Sequence, residues 1–217
     1  MAALAVASNA NALELISNGD FEDGELSIWK SYTTANGTLG PEPYPLVVLY
    51  DVTGSGATHA VEFQAGKASE TIGPEGGGIS QFISANAGLL TSTADFAAFS
   101  SANNPAGGRF SVLLDGVTMD SFATGLIFAG VIVRGSLAFS TTVTEGAHLL
   151  SLQVTRPLLS GALFGGTPSQ YFDNASAIQA DSVVPEPATW GLMVAGFGLA
   201  GGVLRRRARR GVAFVES

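Results

Sequence analysis

Any chemistry in this chain must come from carboxylates, hydroxyls and amides. Among 217 residues there is no cysteine, and the imidazoles are His59 and His148. Thiol catalysis and cysteine metal sites are excluded. Each histidine opens a stretch of alternating polar and apolar residues, the setting of a structural imidazole rather than a base. Serines and acids are plentiful, but neither a G-x-S-x-G elbow nor an H-E-x-x-H helix is present. Gly73-Pro74-Glu75-Gly76-Gly77-Gly78 lacks the Lys and Ser/Thr of a phosphate loop and reads as a mobile turn. The residues point to a non-enzymatic protein. The alternative is a glycan-active enzyme or its accessory module.

Binding is easier to assemble. Between Leu13 and Val184 five basic residues (Lys30, Lys67, Arg109, Arg134, Arg156) face sixteen acids, a net charge of −11. Such a surface repels nucleic acid and anionic lipid. It suits cations, or neutral sugars held by hydrogen bonds. Aromatic rings stack on sugar C–H faces while amides and carboxylates bond the hydroxyls. Trp29, Tyr32, Tyr44 and Tyr50 are the rings available. Trp29 reads as a core residue. Tyr44, between Pro43 and Pro45, is the candidate ligand-binding ring.

The elements that must position these groups are strands. In His59–Gln64, Val61 and Phe63 share one face and Glu62 and Gln64 the other; in His148–Thr155, Leu150, Leu152 and Val154 point inward. Phe110–Leu114, Asp115-Gly116 and Val117–Met119 form a hairpin whose Asp-Gly supplies the positive φ of a type I′ turn. Further strands are expected at Pro45–Val52, Gly78–Ser84, Ser92–Phe99, Leu126–Val133, Leu137–Val143 and Gln170–Gln179. Turns separate them at Gly73–Gly78, Asn103–Gly108 and Gly161–Pro168. Nine or ten short strands with polar turns predict an all-β fold, a jelly-roll β-sandwich over residues 13–182.

The C-terminus is different in kind. Pro185-Glu186-Pro187 precedes 17 uncharged residues from Ala188 to Leu204, followed by Arg205, Arg206, Arg207, Arg209 and Arg210. As a helix those 17 residues reach roughly 25 Å, a little short of the ~30 Å hydrocarbon core, so they span with thinning or snorkelling. The arginines hold their end in the cytoplasm. The two prolines keep the tripeptide extended and exposed. An ordinary single-pass anchor or a buried core helix are the other readings. Motif, apolar segment and arginine cluster in that order, over 183–210, resemble the PEP-CTERM sorting signal. That resemblance implies recognition by an exosortase in the inner membrane of an exopolysaccharide-producing Gram-negative bacterium. It implies a transient membrane-held precursor and delivery to the cell surface or biofilm matrix among extracellular polysaccharide. Residues 211–217 form a short tail. At the other end, Ala10-Asn11-Ala12 is a small-x-small cleavage site, so 1–12 reads as the remnant of a secretory signal peptide.

A second resemblance brackets the body. Leu15-Ile16-Ser17-Asn18-Gly19-Asp20-Phe21-Glu22, with Trp29 after it, resembles the opening of galactose-binding-like jelly rolls, including carbohydrate-binding modules of the 4/9 type. Tyr171-Phe172-Asp173-Asn174-Ala175-Ser176-Ala177-Ile178 is similar to their last strand. The resemblance implies that opening and closing strands lie side by side and share a structural calcium ion, with Asp20, Glu22 and Asp173 as metal candidates. Carboxylate and carbonyl oxygens suit a hard cation. The plain alternative makes Asp20 a turn residue, Glu22 a hydrogen-bonding group and Asp173 a partner for Arg or backbone.

Overall fold

The computed structural model describes residues 12–102, 106–159, 167–180, 191, 193–201 and 205. One compact unit runs Ala12–Ala180. Its strands are β1 (Ala12–Glu14), β2 (Lys30–Thr33), β3 (Gly37–Thr38), β4 (Leu46–Tyr50), β5 (Thr58–Phe63), β6 (Gly66–Lys67), β7 (Glu75–Ala85), β8 (Gly88–Phe99), β9 (Arg109–Leu114), β10 (Val117–Ala123), β11 (Ile132–Val143), β12 (Gly146–Arg156) and β13 (Ser169–Ala180). One sheet has the order β11-β8-β13-β5-β4, with β1 on the far half of β13; the second has the order β10-β9-β12-β7-β2. The pairs within these two sheets are antiparallel. From β7 onward the chain steps between sheets at every connection except the β9–β10 hairpin. The result is the expected jelly-roll sandwich.

The alternation read from the sequence places the core. Val61 and Phe63 of β5, Leu150, Leu152 and Val154 of β12, and Phe96, Phe110 and Phe172 from three other strands are all fully buried between the sheets. Phe110 stacks on Phe96 at 4.6 Å and meets Phe172 edge-on at 5.3 Å. Such aromatic pairs contribute about 0.5–1.5 kcal/mol beyond the area they bury. The β9–β10 turn has Asp115 at φ 52° and Gly116 at φ 79°, both left-handed as expected.

Two expectations need correction. The glycine run is not a mobile turn: Glu75–Gly78 is the first third of β7, between β12 and β2. A Cβ on Gly78 would fall 1.9 Å from the Leu152 carbonyl oxygen, so glycine here serves close strand approach. Of the expected strand Leu126–Val133, only Ile132 and Val133 are in a strand, the start of β11. Gly125 (φ 68°) and Gly130 (φ 76°) turn the chain, Ile127 between them plugs into the core, and β11 begins only at Ile132. An apolar run with glycines at both ends gives a pinned loop here.

Residues 193–201 of the tail are helical, as are Gly191 and Arg205. Among the described residues no helix is long and apolar enough to cross a membrane. Pro185, Glu186, Pro187, Arg206, Arg207, Arg209 and Arg210 lie outside the described residues, as do 1–11 and most of the expected Gly161–Pro168 turn.

Candidate functional site

The opening motif and the last strand meet as expected. Ala12, Leu13 and Glu14 pair with Ala180, Gln179 and Ile178, and the Leu15 N–H donates to the Ala177 carbonyl at 2.8 Å. The pairing of β13 with β8 slips between Asp173 and Ser176, where Asn174 takes φ 50°. Into this bulge the chain fits Gly19. Its carbonyl accepts the Ala175 N–H at 2.8 Å, and a Cβ would fall 1.9 Å from the Ala175 oxygen. Asn18 organises the loop: its amide donates to the Glu25 carbonyl, its side-chain oxygen accepts the Asp23 N–H, and its carbonyl accepts the Trp29 indole N–H. Phe21 is fully buried against Trp29, which is itself in the core.

The three metal candidates are placed differently from one another. Asp20 is exposed; it lines a hollow of about 360 Å³ between the opening loop and the bulge, which neither Glu22 nor Asp173 lines. Glu22 accepts the His59 N–H at 2.9 Å and faces His59 Nδ1 at 3.0 Å, contacts that hold its carboxyl below the usual range. Asp173 is fully buried. It accepts the Thr58 hydroxyl at 2.8 Å and the Asn174 N–H at 2.7 Å. Burial pushes its carboxyl up, these hydrogen bonds pull it back, and the nearby Asp95 and Glu22 add to the rise. Glu22 and Asp173 are thus brought together, with Asp95 as a third neighbour that the sequence did not single out. Among the described residues no group of three or more His, Asp or Glu side chains is arranged to hold a metal ion.

The sugar-ring candidates also separate. The Tyr44 hydroxyl bonds Gln64 Nε2 at 2.9 Å. Tyr50 stacks on Tyr171 at 3.7 Å in a small apolar cluster on the outer side of the first sheet. Tyr32 lines a groove of about 430 Å³ on the outer side of the second sheet, a groove that Tyr44 does not line.

That groove follows from register. Lys30, Ser80, Ser151 and Leu113 form one cross-strand row over β2, β7, β12 and β9; Tyr32, Gly78, Gln153 and Ser111 form the next; Phe82 and Leu149 form the row on the other side. These residues alternate with the core set (Ile79, Leu150, Leu152, Val112), so they face away from it. The middle of the floor is made of small or short polar residues, and Ser80 and Ser151 are buried there. The walls are larger: Phe82 is 72% exposed and Ile28 45% exposed. The Tyr32 hydroxyl is shut off from solvent without hydrogen-bonding geometry to any described partner; the Ser151 hydroxyl lies near it. Exposed ring and apolar wall, amide and hydroxyl floor, and one ammonium group are what a polyhydroxylated ligand needs. Sequence reasoning named Tyr32 and missed Phe82, Gln153 and the serines. Their signal was Gly78-x-Ser80-x-Phe82 opposite Leu149-x-Ser151-x-Gln153, two outward faces that only the pairing brings together.

Residues 183–210 match the family model of the PEP-CTERM protein-sorting motif. No curated protein matches the chain. Solved structures similar to it include TmCBM61 in complex with beta-1,4-galactotriose (13% identity, TM-score 0.44, covering 76% of this chain and 97% of that one). A second is the CBM22-1 xylan-binding domain of Paenibacillus barcinonensis Xyn10C (11%, TM-score 0.40, 79% and 96%). A third is the CBM22-1-GH10 portion of Clostridium thermocellum xylanase 10B complexed with xylohexaose (14%, TM-score 0.41), of which 29% is covered by 78% of this chain.

Proposed function

We propose that this chain, which carries a PEP-CTERM sorting motif on a jelly-roll body, is a non-enzymatic exported protein that holds polysaccharide at the cell surface or in the extracellular matrix. The outer-face groove carries the binding half of this reading. Its rows pair an exposed aromatic ring with Gln153, Ser80 and Ser151, giving a stacking surface beside donors and acceptors. Both histidines lie outside the groove lining, each against a carboxylate. The export half rests on the sorting motif and on a helix whose Met193, Val194, Phe197 and Leu199 are 62–74% exposed, apolar surface that calls for an apolar surrounding. Exosortase is the processing partner in this reading, and the inner membrane is a transient one.

The test is retention of the full chain on a panel of immobilised polysaccharides, beside Phe82→Ala. Phe82 is mostly exposed, so its truncation leaves the melting temperature within about 2 °C. It lowers glycan affinity about tenfold, the value of one lost stacking ring. Retention that is unaffected by Phe82→Ala would place binding elsewhere. No retention on any glycan would leave a purely structural matrix protein.

A further inference from the structure

Resting on that groove, we infer that its ligand is an acidic polysaccharide, sparsely substituted with carboxylate sugars, and that Lys30 reads the carboxylate. The overall charge argues for neutral sugars, since the body carries sixteen acids against five basic residues. The placement of the five cations argues otherwise. Lys67 is buried and donates to the Thr71 carbonyl. Arg109 donates to the Ser121 hydroxyl at 2.9 Å. Arg134 reaches the carbonyl and carboxylate of Asp51 at 3.0 and 3.2 Å. Arg156 is fully buried, with Nε on the Ala106 carbonyl at 2.7 Å and a guanidinium pushed down to about 10 by burial.

Lys30 is the remaining one. Its side chain is exposed, has no hydrogen-bond or ion-pair partner among the described residues, and lines the groove. The groove lining contains no Asp or Glu. A domain that is acidic elsewhere therefore keeps one unengaged ammonium beside a carboxylate-free floor of Ser80, Ser151 and Gln153. Charge complementarity at that point favours a ligand carboxylate. The surrounding acids set the spacing. At physiological salt their repulsion reaches about 8 Å, so a continuous polyanion is disfavoured while one acidic sugar per repeat is accommodated.

The experiment measures binding of the full chain to polysaccharides bearing one uronate per repeat unit, each beside its carboxyl-reduced form. The charged members bind about tenfold more tightly than their reduced partners, and added salt narrows the gap. Lys30→Gln removes the gap between charged and reduced forms, whatever it does to the affinity for both; Lys30→Arg keeps the gap. Equal binding of charged and reduced forms, or a gap that survives in Lys30→Gln, overturns the acidic ligand and leaves the groove standing. Binding to no member overturns both readings.

Discussion

At the residue scale, the closing strand poses one question of charge. Asp173 is fully enclosed, and Asp95 and Glu22 near it are of like charge. An ionised carboxylate in that position is costly unless hydrogen-bonded or met by a cation. Thr58 and Asn174 supply two hydrogen bonds. We propose that calcium supplies the rest, that Asp173 and Glu22, the two candidates the fold brings together, would hold it, and that Asp20 takes no part. The ion's contribution would be structural: it neutralises crowded carboxylates and ties the opening loop to the last strand. Millimolar calcium should then raise the melting temperature by about 2–5 °C over the same protein in chelator, through preferential binding to the folded state. Asp173→Asn should abolish the difference, and Asp20→Asn should not. Coincident melts of the native chain with and without calcium would mean that Thr58, Asn174 and His59 satisfy these carboxylates unaided.

At the element scale, the β9–β10 hairpin is pinned to β12 by one imidazole. His148 Nδ1 lies 2.7 Å from the Asp115 carboxylate and Nε2 lies 2.9 Å from the Thr144 carbonyl. Both partners are acceptors, so the imidazolium form, with a proton on each ring nitrogen, is the one that satisfies both contacts. The hydrogen bond to Asp115, aided by that to the Thr144 carbonyl, raises the His148 pKa above 6.5; at Asp115 burial acts upward, and the hydrogen bonds from His148 and Leu149 outweigh it to hold the carboxyl below 3.8. A raised histidine pKa gives stability that is complete below the unfolded value and lost as pH rises through the folded one. A lowered aspartate pKa gives stability that is lost as pH falls through its folded value. The pair therefore works best between them, in mildly acidic solution. The native chain should exceed His148→Gln in stability by up to about 1 kcal/mol near pH 5.5 and by less near pH 9, in paired denaturant titrations. A pH-independent gap would reduce His148 to packing. Much of this architecture could be read beforehand, because it is local. Period-two alternation gave β5, β12 and β13, and Asp115-Gly116 gave the hairpin. The groove could not, since Lys30, Ser80, Ser151 and Leu113 are far apart in sequence and become a row only through register. The glycine run misled for a related reason: glycine's value at Gly78 lies in the strand beside it, which no local signal reports.

At the scale of the whole molecule, charge and hydropathy divide the chain into a folded acidic body and an apolar, basic-ended tail. The body is a compact unit from Ala12 to Ala180, and the sorting motif begins three residues later at 183. Five arginines follow the apolar segment, and in the proposed membrane-held precursor they would keep that end in the cytoplasm and the body outside. Pro185 and Pro187 each lack a backbone N–H, so the tripeptide is a poor continuation of a helix. If cutting occurs there, the mature protein loses the arginines and its apolar hold together. Intact-mass measurement on protein from a host with an exosortase should show the native chain ending near residue 185, in the surface or released fraction. Glu186→Ala should keep its full tail and stay with the inner membrane, its body unchanged in melting temperature because the motif lies outside the folded unit. Replacing the five arginines by glutamine should instead weaken the hold on orientation, so that the body distributes to both sides in a protease-protection assay. A native chain recovered at the surface with its arginine cluster intact would make the tail a permanent anchor, and the tripeptide would need another explanation.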